Sequence, residues 1–250
     1  MRTIGDPFLI LDTVDSTNIH AMALAHARLA DHGAAFFALE QRAGKGQRGR
    51  QWRSEVGENI ILSVVLQPES FVPADPFPLQ AIAALACYDL FNRYAGDETA
   101  IKWPNDIYWR DRKAGGILIE SSILGNAYRH AVVGMGININ QVVFPAELTN
   151  PVSLRQITGR EHDVQELARE LCRDLEHRYQ QWLSGEETKM LADYNEHLYA
   201  RERTADLRRG GVVWSARIRG VDRAGQLLVH TDRDESWSFG EVDWIPGSVH

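Results

Sequence analysis

Apolar residues fall into two rhythms along this chain, and the places where one gives way to the other outline its elements. Residues 8–11 and 34–40 are short apolar runs that predict strands, and 59–66 is a third, rich in Ile and Val. Between the first two, the turn Asp15-Ser16-Thr17-Asn18 leads into an alanine-rich helix predicted over residues 19–29. Residues 77–94 repeat Leu79, Ile82, Ala83, Ala86 and Leu90 at helical spacing. Short strands then follow in quick succession, predicted at 100–103, 107–109, 116–121 and 130–138. The strongest helix opens at Asp163, an N-cap residue, runs through Val164, Leu167, Leu171, Leu175, Tyr179 and Trp182, and closes at Gly185. A further helix is expected over 187–199. A helix followed by strands on tight turns predicts an α+β fold: a mixed or antiparallel sheet with helices packed on one face, not a βαβ alternation.

After Arg201 the texture changes to short strands, at 212–220, 227–231 and 236–242, joined by turns such as Asp222-Arg223-Ala224-Gly225. The expected division is a main domain over residues 1–202 and a small β-barrel-like domain over 203–250.

Composition narrows the class. With 250 residues, 44% apolar and 24% charged, the chain can bury one medium core plus an appendage. Its net charge of -7 argues against a general DNA-binding surface. The first twelve residues hold no apolar signal region, and no apolar run approaches a membrane span. Cys87 and Cys172 have no metal-ligand spacing and read as buried thiols of a cytoplasmic protein.

Against that acidic background, Arg42, Lys45, Arg48, Arg50 and Arg53 place five positive charges within twelve residues that contain no acid. Gly44, Gly46 and Gly49 punctuate them and Trp52 follows. Glycines let backbone N–H groups approach phosphate oxygens, and Lys and Arg add charge-assisted bonds. The run matches neither the nucleoside-triphosphate P-loop nor the dinucleotide fingerprint. As a solvated flexible turn it would need no ligand.

Four other strings carry chemistry. Ser16-Thr17-Asn18 at a helix start is either an N-cap or a prepared site for a small polar ligand. Lys102-Trp103-Pro104-Asn105-Asp106 is a proline turn that could face a nucleotide. Lys113 precedes the pair Gly115-Gly116, a hairpin turn or a place where a ligand lies on the backbone beside a lysine. Gly134, Gly136, Asn138 and Asn140 punctuate a strand whose buried amides need partners.

Taken in order, D-S-T-N at 15–18, Q-x-x-G-K-G-Q-x-G-x-x-W at 41–52, K-W-P-N-D at 102–106, K-x-G-G-I-L at 113–118 and G-x-G-I-N at 134–138 resemble the biotin protein ligase (biotin–[acetyl-CoA-carboxylase] ligase) family. The resemblance implies a catalytic core like that of class II aminoacyl-tRNA synthetases, with a small C-terminal β domain. It implies ATP and biotin as substrates, Mg²⁺ held through the phosphates with few dedicated protein ligands, and biotinyl-5′-AMP as intermediate. The acceptor would be a lysine on a biotin carboxyl carrier domain. By this resemblance Ser16, Thr17, Asn18 and Gln41 would bind biotin, with Ser16, Thr17 and Gln41 bonding its ureido ring. Gly44, Lys45, Gly46 and Gln47 would close over it, Trp103 would wall it, and Gly115 and Gly116 would bed it. Lys45, Gln47, Arg48, Arg50, Trp52, Asn105 and Asn138 would contact ATP, and Lys113 would be the catalytic group at the reacting carboxyl and phosphate.

Many relatives carry arginine where this chain has Lys45 and Gln47. Lys45 keeps the charge without the planar fork and Gln47 loses it, so a weaker grip on the adenylate is expected. No arginine occurs in the C-terminal segment where some relatives place one near ATP. The motifs begin at residue 15, leaving no room for the DNA-reading module of about 60 residues that makes some relatives repressors, so no specific DNA binding is expected. Side-by-side pairing of sheet edges would give a homodimer. Rival readings are a lipoate–protein ligase, whose pocket would be less polar, a thiol-dependent acyl transferase, which neither cysteine supports, and a non-catalytic biotin or adenylate sensor.

Overall fold

Strand β3 (Asn59–Leu66) lies at the centre of the fold because both of its faces are covered: all eight of its residues are buried. In the computed structural model, which describes residues 2–68, 70–245 and 247–250, β3 pairs antiparallel with β2 (Ala35–Gln41) on one side and β7 (Ala127–Asn138) on the other. The sheet continues outward to β1 (Phe8–Val14), parallel to β2, and through β6 (Arg112–Leu124) and β5 (Asp106–Trp109) to β4 (Thr99–Lys102), giving the order β1-β2-β3-β7-β6-β5-β4. It is the expected mixed sheet.

Leu62, Val64 and Leu66 point to one face, where they join Leu79, Ile82 and Leu85 of α2 (Phe77–Ala95) and Leu167, Leu171 and Leu175 of α4 (Val164–Leu183) in the main core. Each such fully buried side chain contributes roughly 1.5–3 kcal/mol. The opposite face carries α1 (Thr17–His26), whose Ala21 and Ala25 pack against Phe36, Val65 and Val132. Helices therefore lie on both faces, correcting the one-sided layer expected from sequence. A strand without polar alternation buries both faces, and alanines let a helix approach the sheet closely.

Asp163 caps α4 as expected, its carboxylate accepting from the N–H groups of Gln165 and Glu166 at 3.0 Å. Arg178 of α4 then forks to Asp89 on α2 (2.7 and 2.9 Å) and reaches Asp193 on α5 (Glu187–Glu196) at 2.8 Å, locking the three helices together. Helix α1 stops at His26, with Ala27 as C-cap and Arg28 at φ 59°, short of the predicted end. The one-turn α3 (Leu154–Thr158) was not anticipated.

The C-terminal segment forms a separate antiparallel sheet of β8 (Thr204–Arg209), β9 (Val212–Val221), β10 (Leu227–His230), β11 (Asp234–Trp237) and β12 (Val242–Trp244), ordered β11-β10-β9-β8-β12. The sequence pattern merged β11 and β12 and missed β8. Several contacts join it to the main body. Trp103 Nε1 donates to Gly225 O at 2.9 Å, Trp244 Nε1 donates to Trp103 O at 3.2 Å, and the Asn195 amide bonds both backbone groups of Val221. Both cysteines are free and buried, and burial pushes the Cys172 thiol up to about 12. Among the described residues no helix is long and apolar enough to cross a membrane.

Candidate functional site

A cleft opens on the α1 face of the sheet because two positions of β7 lack side chains. A methyl on Gly134 would overlap the Asn18 amide, and one on Gly136 would overlap the Trp52 indole. Both groups lie directly on the strand backbone. Together they flank a space of about 510 Å³, its open mouth included.

The start of α1 forms one wall. Ser16 is its N-cap, accepting from Ile19 N at 3.5 Å, and it lines the cleft. Thr17 lies behind that wall: its N–H and hydroxyl both donate to Gln41 Oε1, at 2.9 and 3.2 Å. Ser63 on β3 donates to Asn18 Oδ1 and sits 2.7 Å from Thr17 Oγ1 as well. Asn18 Nδ2 in turn donates to Leu118 O (3.2 Å) and Glu120 Oε2 (3.0 Å). The buried Asn18 amide has three partners and the Gln41 carbonyl accepts twice from Thr17, which fixes both residues at the cleft edge.

The basic loop is the roof. It bonds to itself, Trp52 N donating to Gly44 O (2.9 Å) and Gly46 N to Arg50 O (2.7 Å), and a short 3₁₀ turn (Gln47–Gly49) forms its tip. Arg48 within that turn is left-handed at φ 55°. Lys45, Gly46 and Gln47 face both the inner cleft and an outer groove, whereas Gly44, Arg48 and Arg50 line only the groove. Lys45 pairs loosely with Glu120 at 3.6 Å. Trp52 Nε1 is buried with no hydrogen-bond partner in the protein, leaving a donor at the cleft wall.

The opposite wall holds the cation expected to act in the chemistry. Lys113 Nζ lies 2.6 Å from Asp106 Oδ1, both side chains partly exposed. The pair sits over Gly116, whose missing Cβ leaves both atoms just enough room. The backbone of Lys113 is pinned on both sides, its N–H donating to Asn150 O and its carbonyl accepting from Val152 N, each at 2.9 Å. Asn105 lines the cleft and donates to Ile117 O at 2.8 Å.

Besides Thr17 behind the wall and Gly44, Arg48 and Arg50 in the outer groove, the expected ligand residues Trp103, Asn138 and Gly115 also lie outside the cleft. Trp103 is 2% exposed and turned into the seam between the sheets, with its Nε1 on Gly225 O and its ring against Phe239, so it does not wall the cleft. Asn138 is buried and donates to Val152 O (3.1 Å) and Lys113 O (3.4 Å), beside the Lys113 backbone and not on the cleft surface. Gly115 packs against Gly136 O behind the cleft. Sequence reasoning missed Asp106, Glu120 and Ser63. Asp106 was in plain view inside K-W-P-N-D but was read as turn chemistry.

Lys102 points away from the cleft, among the rings of Tyr108, Trp244 and Tyr199 at 4.4, 5.3 and 5.5 Å, and burial lowers it to about 8. Among the described residues no three His, Cys, Asp or Glu side chains gather as a metal cage.

A model of the Biotin/lipoate A/B protein ligase family matches residues 12–138. The chain is 30% identical over 234 residues to the bifunctional ligase/repressor BirA of Bacillus spizizenii, covering 92% of this chain and 71% of that protein. It is 37% identical over 164 residues to the biotin–[acetyl-CoA-carboxylase] ligase of Paracoccus denitrificans, covering 63% of this chain and 66% of that one. Its fold is similar to that of the biotin protein ligase of Aquifex aeolicus in complex with biotin and ATP, with a TM-score of 0.83 over 99% of this chain and 100% of that one at 22% identity.

Proposed function

The chain belongs to the biotin/lipoate A/B protein ligase family and is a ligase, and from that premise we propose that it activates biotin with ATP and transfers it to a lysine of a biotin carboxyl carrier domain. One observation carries this reading: the Lys113–Asp106 pair faces a glycine-floored cleft whose other wall is polar and whose roof is cationic.

A bicyclic ureido ring needs donors and acceptors at one end and an apolar bed behind. Ser16 and Gln41 supply the polar end, and Trp52, Ile61 and Ile117 the bed. The carboxylate tail then reaches toward Lys113. There it attacks the α-phosphorus of ATP, the α–β phosphoanhydride bond breaks, and pyrophosphate leaves. The Lys113 ammonium offsets the negative charge that grows on the phosphoryl oxygens. In the second step an uncharged lysine amine of the carrier attacks the acyl carbon, an amide forms with loss of one amine proton, and AMP departs with the electron pair of the broken acyl–phosphate anhydride bond. No enzyme nucleophile is required, and the loop over the cleft keeps the anhydride from water.

Single-turnover mass spectrometry with ATP, Mg²⁺, biotin and a purified carrier domain tests this. The expected result is a biotin-sized mass gain on the carrier, absent with lipoate, and slowed about 10²–10³-fold by Lys113→Ala, the usual cost of removing one preorganised electrostatic group. Lipoate transfer would move the substrate to the other branch of the family. Biotinyl-AMP formation with no transfer to any carrier domain would leave a sensor, and the absence of adenylate would refute the reading.

A further inference from the structure

The C-terminal sheet touches the roof of the cleft and, in the seam between the sheets, the residue that leads into its opposite wall. On the roof, Arg48 Nη1 lies 2.6 Å from Asp243 Oδ1 of β12, and the Arg48 guanidinium sits 5.2 Å from the Phe239 ring centroid. On the opposite side, Phe239 meets Trp103 edge to face at 6.2 Å, and Trp244, next to Asp243, donates to Trp103 O. Trp103 begins the turn that carries Asp106, the partner of Lys113. A single three-residue strand and the turn before it thus bridge the glycine loop and the wall that holds Lys113. Arg48 is well suited as the contact: its left-handed backbone aims the side chain out of the 3₁₀ turn, away from the inner cleft.

We infer that the C-terminal sheet is a clamp on the active-site roof, with Asp243 and Phe239 as positioning residues that hold the glycine loop closed through Arg48. The sheet then serves adenylate retention without lending any side chain to the nucleotide, and Arg48 is a structural latch instead of an ATP contact. The role in retention rests on the ligase reading above, whereas the latch itself does not. A partly exposed ion pair and a cation–π contact together shift the open–closed balance of a loop by roughly 3- to 30-fold.

Hydrogen exchange of the full-length protein without ligands reads the latch directly. Asp243→Ala and Phe239→Ala should each speed amide exchange across residues 44–52 several-fold, leaving the amides of β8 to β10 unchanged. The swapped pair Arg48→Asp/Asp243→Arg should restore part of the protection that either change alone removes. In the same variants, release of biotinyl-AMP into solution should quicken while the KM for biotin moves little. Unchanged exchange at 44–52 in both single variants would overturn the clamp, as would acceleration spread evenly through residues 204–244, which would assign these side chains to the fold of the sheet. A latch seen by exchange in a protein that forms no adenylate would instead refute the ligase reading alone.

Discussion

Adding one methyl at Gly134 should do more damage than its size suggests. The Cβ would overlap the Asn18 amide, so either the side chain leaves or β7 retreats. Asn18 is 4% exposed and holds three bonds: from Ser63 Oγ at 2.7 Å, to Leu118 O at 3.2 Å and to Glu120 Oε2 at 3.0 Å. At about 0.5–1.5 kcal/mol net for each, their loss amounts to roughly 2–4 kcal/mol. In a chain of this length that lowers Tm by about 5–15 °C. The alternative, a retreat of β7, would break ladder bonds to both β3 and β6 and should cost no less. The clash is specific to one partner, so a double-mutant cycle isolates it. Asn18→Ala alone forfeits the same bonds, yet it makes room for the methyl. Urea unfolding of Gly134→Ala, Asn18→Ala and the double variant should therefore give a double variant within about 1 kcal/mol of Asn18→Ala, a coupling far above the ~0.5 kcal/mol scatter of independent sites. Losses that simply add would refute the close approach of this amide to the strand backbone, and with it the account of why the cleft floor is glycine.

Asp106→Asn keeps the shape of the turn but removes the charge that holds Lys113, so pyrophosphate exchange should slow about 10-fold with little change in biotin KM; an unchanged rate would separate Asp106 from the chemistry. Gln47→Arg adds a forked cation to the roof and should slow escape of biotinyl-AMP, measured as adenylate in the flow-through of a spin column; equal escape would remove Gln47 from the account of adenylate grip. Lys102 gives up its proton in the folded state near 8 but near 10.5 when unfolded. Between those values the unfolded chain binds more protons, so stability should rise with pH across that window, and Lys102→Met should flatten the rise. The ceiling is about 3 kcal/mol, and the three surrounding rings, which favour the ammonium, reduce it. Parallel stability curves for the two proteins from pH 7 to 10.5 would count against a buried, strained ammonium.

Much of the site was legible because its chemistry is written in short local strings. The two glycines of residues 134–138, the loop at 44–52 and Lys113 are each recognisable without neighbours, and the fold brings their cleft-facing members together. What sequence could not supply was direction. Lys102 and Trp103 are adjacent, so they project to different sides of the chain, and neither side is the cleft; only Asn105 and Asp106, beyond the proline, turn into it. Asn138 has the residue type of a nucleotide ligand, but its amide is used on Val152 and Lys113 carbonyls. The second helical layer was visible in principle, since residues 59–66 run apolar on both parities and only a strand covered twice reads that way. The latch between Arg48 and Asp243 spans 195 residues and leaves no local trace.

The placement of counter-charges explains how an acidic chain tolerates this much cation in one place. Lys113 is paired with Asp106, Lys45 with Glu120 and Arg48 with Asp243, one carboxylate for each. Those carboxylates come from three separate elements, β5, β6 and β12, so the loop and the lysine wall are neutralised independently and neither repels the other in the free protein. On the proposed ligase reading, a phosphate chain entering the cleft would exchange partners at Lys45 and Lys113 before it gained their full charge. Arg50 differs, having no carboxylate within 4 Å among the described residues, and it stands in the outer groove at the entrance. On that reading unpaired Arg50 would contribute attraction at long range, while the paired cations would respond at contact, where anion geometry rather than bulk charge decides whether the exchange occurs.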